Sequence, residues 1–128
     1  MFRQSLQTDK PELTALLSAE GVDNSEMGFE RAETWVYDEN GIKGFFSLRK
    51  EFKRPYLIHF CVDRRFRTHL VARRLIGFLK NLLRMRGDSE AIINAPADKE
   101  RLNLLISAYF KARPYAKNDG HNFYLIGV

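Results

Sequence analysis

The 128-residue chain is predicted to fold as an α/β (α+β) protein, a mixed central sheet with element order β-α-α-β-β-β-α-β-α-β-β forming one domain over residues 1–128. Three observations predict it. Tyr56 to Val62 is a nearly continuous apolar run, the pattern of a strand buried in a sheet centre. From about Thr68 to Arg86, Val71, Leu75, Phe78, Leu79, Leu82 and Met85 recur at spacings of three and four, the stripe of a helix facing a sheet. A second strand, Glu90 to Ala95, and a second helix, opened by Asp98 and running to about Phe110, follow in order and imply a right-handed parallel crossover.

The remaining elements follow from local signals. Phe2 to Leu6 is a short strand, and Asp9 with Glu12 three residues on makes a capping box for a helix to about Glu20. Leu13, Leu16 and Leu17 share one side of that helix, and Gly21 ends it. Residues 23–31 read as a second short helix. Glu33–Tyr37 and Ile42–Leu48 are strands joined by Asn40-Gly41, a tight hairpin signal. A polar turn from Lys50 to Pro55 leads into the apolar strand, and Gly87 caps the long helix. Arg113–Lys117 and His121–Ile126, joined through Asn118-Asp119-Gly120, form a terminal hairpin.

With 45% hydrophobic and 12% aromatic residues the composition is that of a folded core, not a disordered segment. No apolar run approaches the roughly 18 residues of a membrane span, and Met1–Ser5 lacks the apolar segment of a signal peptide. A single cysteine, Cys61, cannot form an internal disulfide, so the expected compartment is a reducing cytoplasm and the expected thiol is buried. Net charge is +5, and its distribution is uneven: residues 43–86 hold 13 of the 21 Lys and Arg but 2 of the 16 Asp and Glu. Residues 1–42 hold 3 basic and 9 acidic residues. A cationic middle of this kind predicts an anion site for a polyphosphate cofactor or nucleic acid. No Cys, His and carboxylate cluster has metal-ligand spacing, so no metal is expected.

The run Val62-Asp63-Arg64-Arg65-Phe66-Arg67-Thr68-His69-Leu70-Val71-Ala72-Arg73-Arg74-Leu75 passes from the buried strand through an arginine-rich turn into the long helix. A helix N-terminus offers unpaired N–H groups and a positive dipole end to an anion. Here the chain resembles the GCN5-related N-acetyltransferase (GNAT) family, whose pyrophosphate loop reads roughly R/Q-x-x-G-x-G/A, often preceded by V-x-x-x-[YF]. Val62, Phe66, Arg67 and Ala72 match, and Leu70 stands at a glycine position. The element order is also the family's, so the resemblance covers essentially the whole chain. It implies an acyl-CoA N-acyltransferase-like fold, acetyl-CoA as co-substrate and direct acetyl transfer to an amine. It further implies that backbone N–H groups of Arg67, Thr68, His69, Leu70, Val71 and Ala72 hold the pyrophosphate and that Phe60, Cys61 and Val62 pair with the pantetheine arm. Arg65, Arg67 and either Arg73 or Arg74 would add charge-assisted bonds, and Asn103 aligns with the asparagine of the family pattern N-x(6)-Y-x(3)-G-F.

In such a family the base often comes from the central strand, where His59 is the titratable candidate, with an unperturbed pKa suited to neutral pH. Period-two alternation places His59 with Leu57 and Cys61, opposite Tyr56 and Ile58, unless a bulge exchanges the faces. The family's proton donor is a tyrosine, but its position is Phe110 here, which leaves Tyr109 and Tyr115 as candidate acids. Leu70 either opens the helix's apolar stripe or narrows the cofactor pocket. Glu20, Asp23, Glu26, Glu30 and Glu33 lie in or beside the first two helices, so the expected acceptor is a cationic amine, small molecule or peptide. Two other readings stay open. One is a non-catalytic acyl-CoA sensor; the other is a nucleic-acid-binding module with Phe45, Phe46, Phe52 and Tyr56 as stacking surfaces. A homo-oligomer is compatible with all of them.

Overall fold

The computed structural model describes residues 1–20, 32–49, 53–66 and 69–128. Its elements are β1 (Phe2–Gln4), α1 (Lys10–Ala19), β2 (Ala32–Asp38), β3 (Ile42–Arg49), β4 (Tyr56–Val62), α2 (His69–Met85), β5 (Glu90–Pro96), α3 (Glu100–Phe110), β6 (Arg113–Asn118) and β7 (His121–Gly127). The seven strands form one sheet in the order β1-β2-β3-β4-β5-β7-β6. Every neighbouring pair is antiparallel except β4 and β5, which are parallel and joined by α2. This is the predicted mixed sheet and element order; the short helix predicted at 23–31 lies outside the described residues.

Alternation along the strands sends side chains into two cores. Phe46, Leu57, Ile93 and Tyr124 meet α2 and α3 on one face, while Val36, Phe45 and Cys61 meet Leu13 and Leu17 of α1 on the other. On α2 the buried stripe is Val71, Leu75, Ile76, Leu79 and Leu83. Met85, predicted to belong to it, is 86% exposed. Two residues past Leu83 a side chain has rotated by about 200°. The helix then ends at Gly87, whose φ of 84° supplies the left-handed turn. Gly44 on β3 sets how closely α2 approaches the sheet: a Cβ there would lie 2.7 Å from Leu75 Cδ1 and 2.9 Å from the Cys61 carbonyl oxygen.

The Asn40-Gly41 turn forms as predicted, with φ of 58° and 120°, and Asp38 Oδ1 accepts a bond from Gly41 N at 3.1 Å. The capping box predicted at Asp9 and Glu12 does not form. Asp9 is itself helical and makes no side-chain cap to α1. Its carboxylate instead accepts from Leu6 N at 2.7 Å and from Arg3 at 2.7 and 3.1 Å, closing the short 3-10 turn Gln7–Asp9. The guanidinium fork and the Leu6 amide engage both carboxylate oxygens outside α1.

Candidate functional site

The centre of the sheet is irregular. Between β3 and β4 the register pairs Ser47 with His59 and Leu48 with Leu57, so Ile58 is one residue too many, a β-bulge. Between β4 and β5 the ladder contains only Tyr56 with Ile92 and Leu57 with Ile93. Past those pairs the strands run on without pairing each other, to Val62 and Pro96. A slot therefore opens in the sheet, edged by the main chain of residues 59–62.

The bulge also exchanges faces. Strict alternation predicted Leu57, His59 and Cys61 on one side, but Leu57 belongs to the α2–α3 core and Cys61 to the α1 core. Across the bulge His59 falls with Cys61 on the α1 side, its ring 6.2 Å from Phe45. Phe60 points the other way and meets Phe110 of α3 edge-on at 4.9 Å. Partial burial, with a smaller contribution from Arg49, pushes the His59 pKa down to about 4, so the imidazole is neutral at pH 7. This corrects the expectation of a base poised near neutrality.

Beyond the slot a 3-10 turn (Arg64–Phe66) leads toward α2. Asp63 is 6% exposed and organises it: its carboxylate accepts from Arg65 N at 2.9 Å and from Arg65 Nη2 at 2.8 Å. That pairing with Arg65 holds the Asp63 carboxyl below its usual range. Arg64 donates to the Ala19 carbonyl at 2.7 Å and to Glu20 at 3.1 Å, tying the end of α1 to the end of β4. Arg67 and Thr68 lie outside the described residues, and α2 begins at His69. Leu70 is 55% exposed, so it does not open the buried stripe; Val71 does. Arg74 reaches back to the Tyr37 hydroxyl and lies 3.8 Å from Glu39, while Arg73 is exposed.

Other predicted residues have positions of their own. Asn103 donates both amide hydrogens, to the Pro96 and Lys99 carbonyls at 2.9 and 2.8 Å, and its oxygen accepts from Asn122 and from the Tyr124 hydroxyl. It pins α3 to β5 and β7. Tyr109 is partly buried against the α2–α3 core. Tyr115 is 49% exposed on the edge strand β6, two strands beyond β5, with Arg54 stacked 5.6 Å over its ring. The structure does not bring it to the slot beside His59. Phe45 and Phe46 are 0% exposed and cannot stack on bases; Phe52 lies outside the described residues.

The charge asymmetry is partly cancelled across the fold. Arg86 grips Glu33 at 2.8 and 2.9 Å, Arg54 meets Glu90 at 3.2 Å, and Arg64 meets Glu20. Glu20 and Glu33, two of the five acids behind the cationic-acceptor expectation, are thus neutralised; Asp23, Glu26 and Glu30 lie outside the described residues. A pocket of about 380 Å³ lies at the slot, lined by Arg49, Tyr56, Ile58 and Asn94. Sequence reasoning missed Arg49 and Asn94 as site residues. The available signal was parity: Arg49 shares a face with Phe45 and Ser47, and Asn94 faces away from the buried Ile93 and Ala95. Among the described residues no His, Cys, Asp and Glu group could hold a metal, and no helix is long and apolar enough to cross a membrane.

No family model and no curated protein matches the sequence. Solved structures do match. A GNAT-family acetyltransferase from Listeria monocytogenes 4b F2365 superposes with TM-score 0.78 at 18% identity, over all of this chain and 94% of that one. The ribosomal-protein-S18-alanine N-acetyltransferase from Escherichia coli gives TM-score 0.81 at 16% identity, over 100% and 93%. A GNAT-family acetyltransferase from Elizabethkingia anophelis, with acetyl-CoA bound, gives 0.78 at 11%, over 100% and 97%. The fold is that of the GNAT acetyltransferases.

Proposed function

We propose that the protein is an N-acetyltransferase that moves an acetyl group from acetyl-CoA to an amine. The observation that carries this reading is the parting of β4 and β5 beside the N-terminus of α2. A thioester on a long amide-bearing arm needs main-chain partners along its length and a positive terminus for its phosphates. The edge of Phe60, Cys61 and Val62 offers the first, in the manner of an added strand. The N-terminal turn of α2, from His69 to Ala72, offers the second. Backbone donors do not depend on side chains, so a leucine directed to solvent at position 70 leaves them in place. Arg65, held by Asp63, orders the turn, and Arg67 supplies charge to the phosphates. The Elizabethkingia neighbour with acetyl-CoA bound supports the same reading.

In the reaction the amine lone pair attacks the thioester carbonyl, a C–N bond forms, the C–S bond breaks and the thiolate takes a proton. A neutral His59 accepts a hydrogen bond from the amine and orients it, while the amine's proton leaves through water because an imidazole with pKa about 4 is too weak a base to keep it. Phe110 at the usual donor position carries no proton, so the donor is Tyr109 or solvent. Calorimetry with acetyl-CoA and turnover of an amine panel test the proposal. Binding together with transfer is the expected result, and no binding at about 1 mM ligand in low salt would remove it. Tyr109→Phe should lower turnover by about 10²- to 10⁴-fold if its hydroxyl is the acid. Phe110, 4% exposed against Phe60, favours a second reading, an acyl-CoA-binding sensor. Binding without transfer to any amine would select it.

A further inference from the structure

We infer that the acceptor carries a carboxylate beside its amine and that Arg49 receives it, making the substrate a small amino carboxylate such as a free amino acid. The inference rests on the acetyltransferase reading and deepens it. The pocket of about 380 Å³ spans the slot, with Ile58 on the β4 side and Asn94 on the β5 side, and among the described residues Arg49 is the one charged group in its lining. This volume lies at the lower end of the roughly 300–1,000 Å³ common for small-molecule sites, which suits an amino acid better than a folded protein surface.

Arg49 differs from the other arginines around it. Arg54, Arg64, Arg65, Arg74 and Arg86 each have a carboxylate within 4.0 Å. Arg49 makes no ion pair among the described residues, and its Nε is buried with no hydrogen-bond partner among them. A buried N–H of a permanent cation without an acceptor is costly, and a guanidinium fork matches a carboxylate in charge and shape. Asn94 brings an adaptable donor and acceptor to the same lining, and Tyr56 pairs with Arg49 across the β3–β4 ladder. A carboxylate docked on Arg49 leaves its attached amine beside Ile58 and His59, at the strand edge proposed to hold the thioester. A dication would meet Arg49's like charge there instead.

The test compares L-amino acids with the matching L-amino acid amides, which keep the amine and lose the carboxylate. Both series are titrated calorimetrically and assayed for acetyl transfer with wild type, Arg49→Gln and Arg49→Lys. At least one acid should bind about 10- to 100-fold tighter than its amide in wild type. That ratio should collapse toward one in Arg49→Gln and persist in part in Arg49→Lys, with acetyl-CoA binding in each variant reporting an intact site. Equal binding of acid and amide by wild type, no amino acid bound at about 10 mM, or a ratio that survives in Arg49→Gln would each overturn the inference. Acid preference without acetyl-CoA binding would instead overturn the enzyme reading and leave Arg49 as a carboxylate site.

Discussion

Burial beside a cation keeps the His59 imidazole neutral, and stability must respond to that. Its folded pKa of about 4 lies below the ordinary 6.5, so between those values the unfolded chain binds the extra proton. Stability from this group is complete above about pH 6.5 and is lost as pH falls toward about 4, on the order of 1–2 kcal/mol once partial solvent access is allowed for. The carboxylates of Asp9, Asp38 and Asp63 are depressed by their arginine partners and lose their contribution at lower pH, in the same direction. Urea denaturation from about pH 7 to about pH 4 should therefore show a shallower slope for His59→Gln than for wild type, and parallel curves would refute the assignment. Leu70 makes the opposite kind of prediction. At 55% exposure, Leu70→Ala should change stability by less than about 0.5 kcal/mol, where a buried leucine would lose about 2 to 5.

The elements were legible in the sequence wherever a pattern is local. Helical spacing located α2, Asn40-Gly41 located a hairpin, and a continuous apolar run located β4. Features that depend on a partner were not legible. The extra residue at Ile58 exists only relative to β3, and Asp9 does not cap α1 because Arg3 of β1 takes up its carboxylate. Removing Ile58 tests the bulge. The deletion makes Leu57 and His59 successive residues opposite Leu48 and Ser47, which restores a regular ladder without changing the faces of later side chains. Acetyl-CoA affinity should fall at least about 10-fold as β4 pairs further along β5, while the melting temperature holds or rises. Retained affinity would disconnect the bulge from the slot. Gly44→Ala probes the other wall: the new methyl meets a main-chain oxygen at 2.9 Å that cannot rotate away, so unfolding free energy should drop by about 1–3 kcal/mol in a denaturant titration.

For the whole molecule, the sequence displayed a basic block but not its cancellation, because Glu20, Glu33 and Glu90 reach their arginines only through the tertiary fold. What sets Arg49 apart is a buried Nε without a partner among the described residues, which no count along the chain could have shown. Arg73, exposed near the start of α2, makes no ion pair among the described residues, so acetyl-CoA affinity should weaken as ionic strength rises from about 0.05 to 0.5 M, and salt-independent binding would argue against phosphate recognition there. The same fold gives its single thiol an unusual vantage. Cys61 is 5% exposed in the core beneath α1, its Sγ 3.8 Å from the Leu16 carbonyl, and Arg64 clamps the last turn of that helix to the strand. A thiol reagent can reach it only when α1 lifts, so the labelling rate is the intrinsic rate multiplied by the opening equilibrium. Arg64→Ala should speed labelling severalfold without altering global unfolding by more than about 1 kcal/mol. The chain thus carries a built-in clock for the motion that uncovers one side of its central strand, readable without attaching any foreign probe.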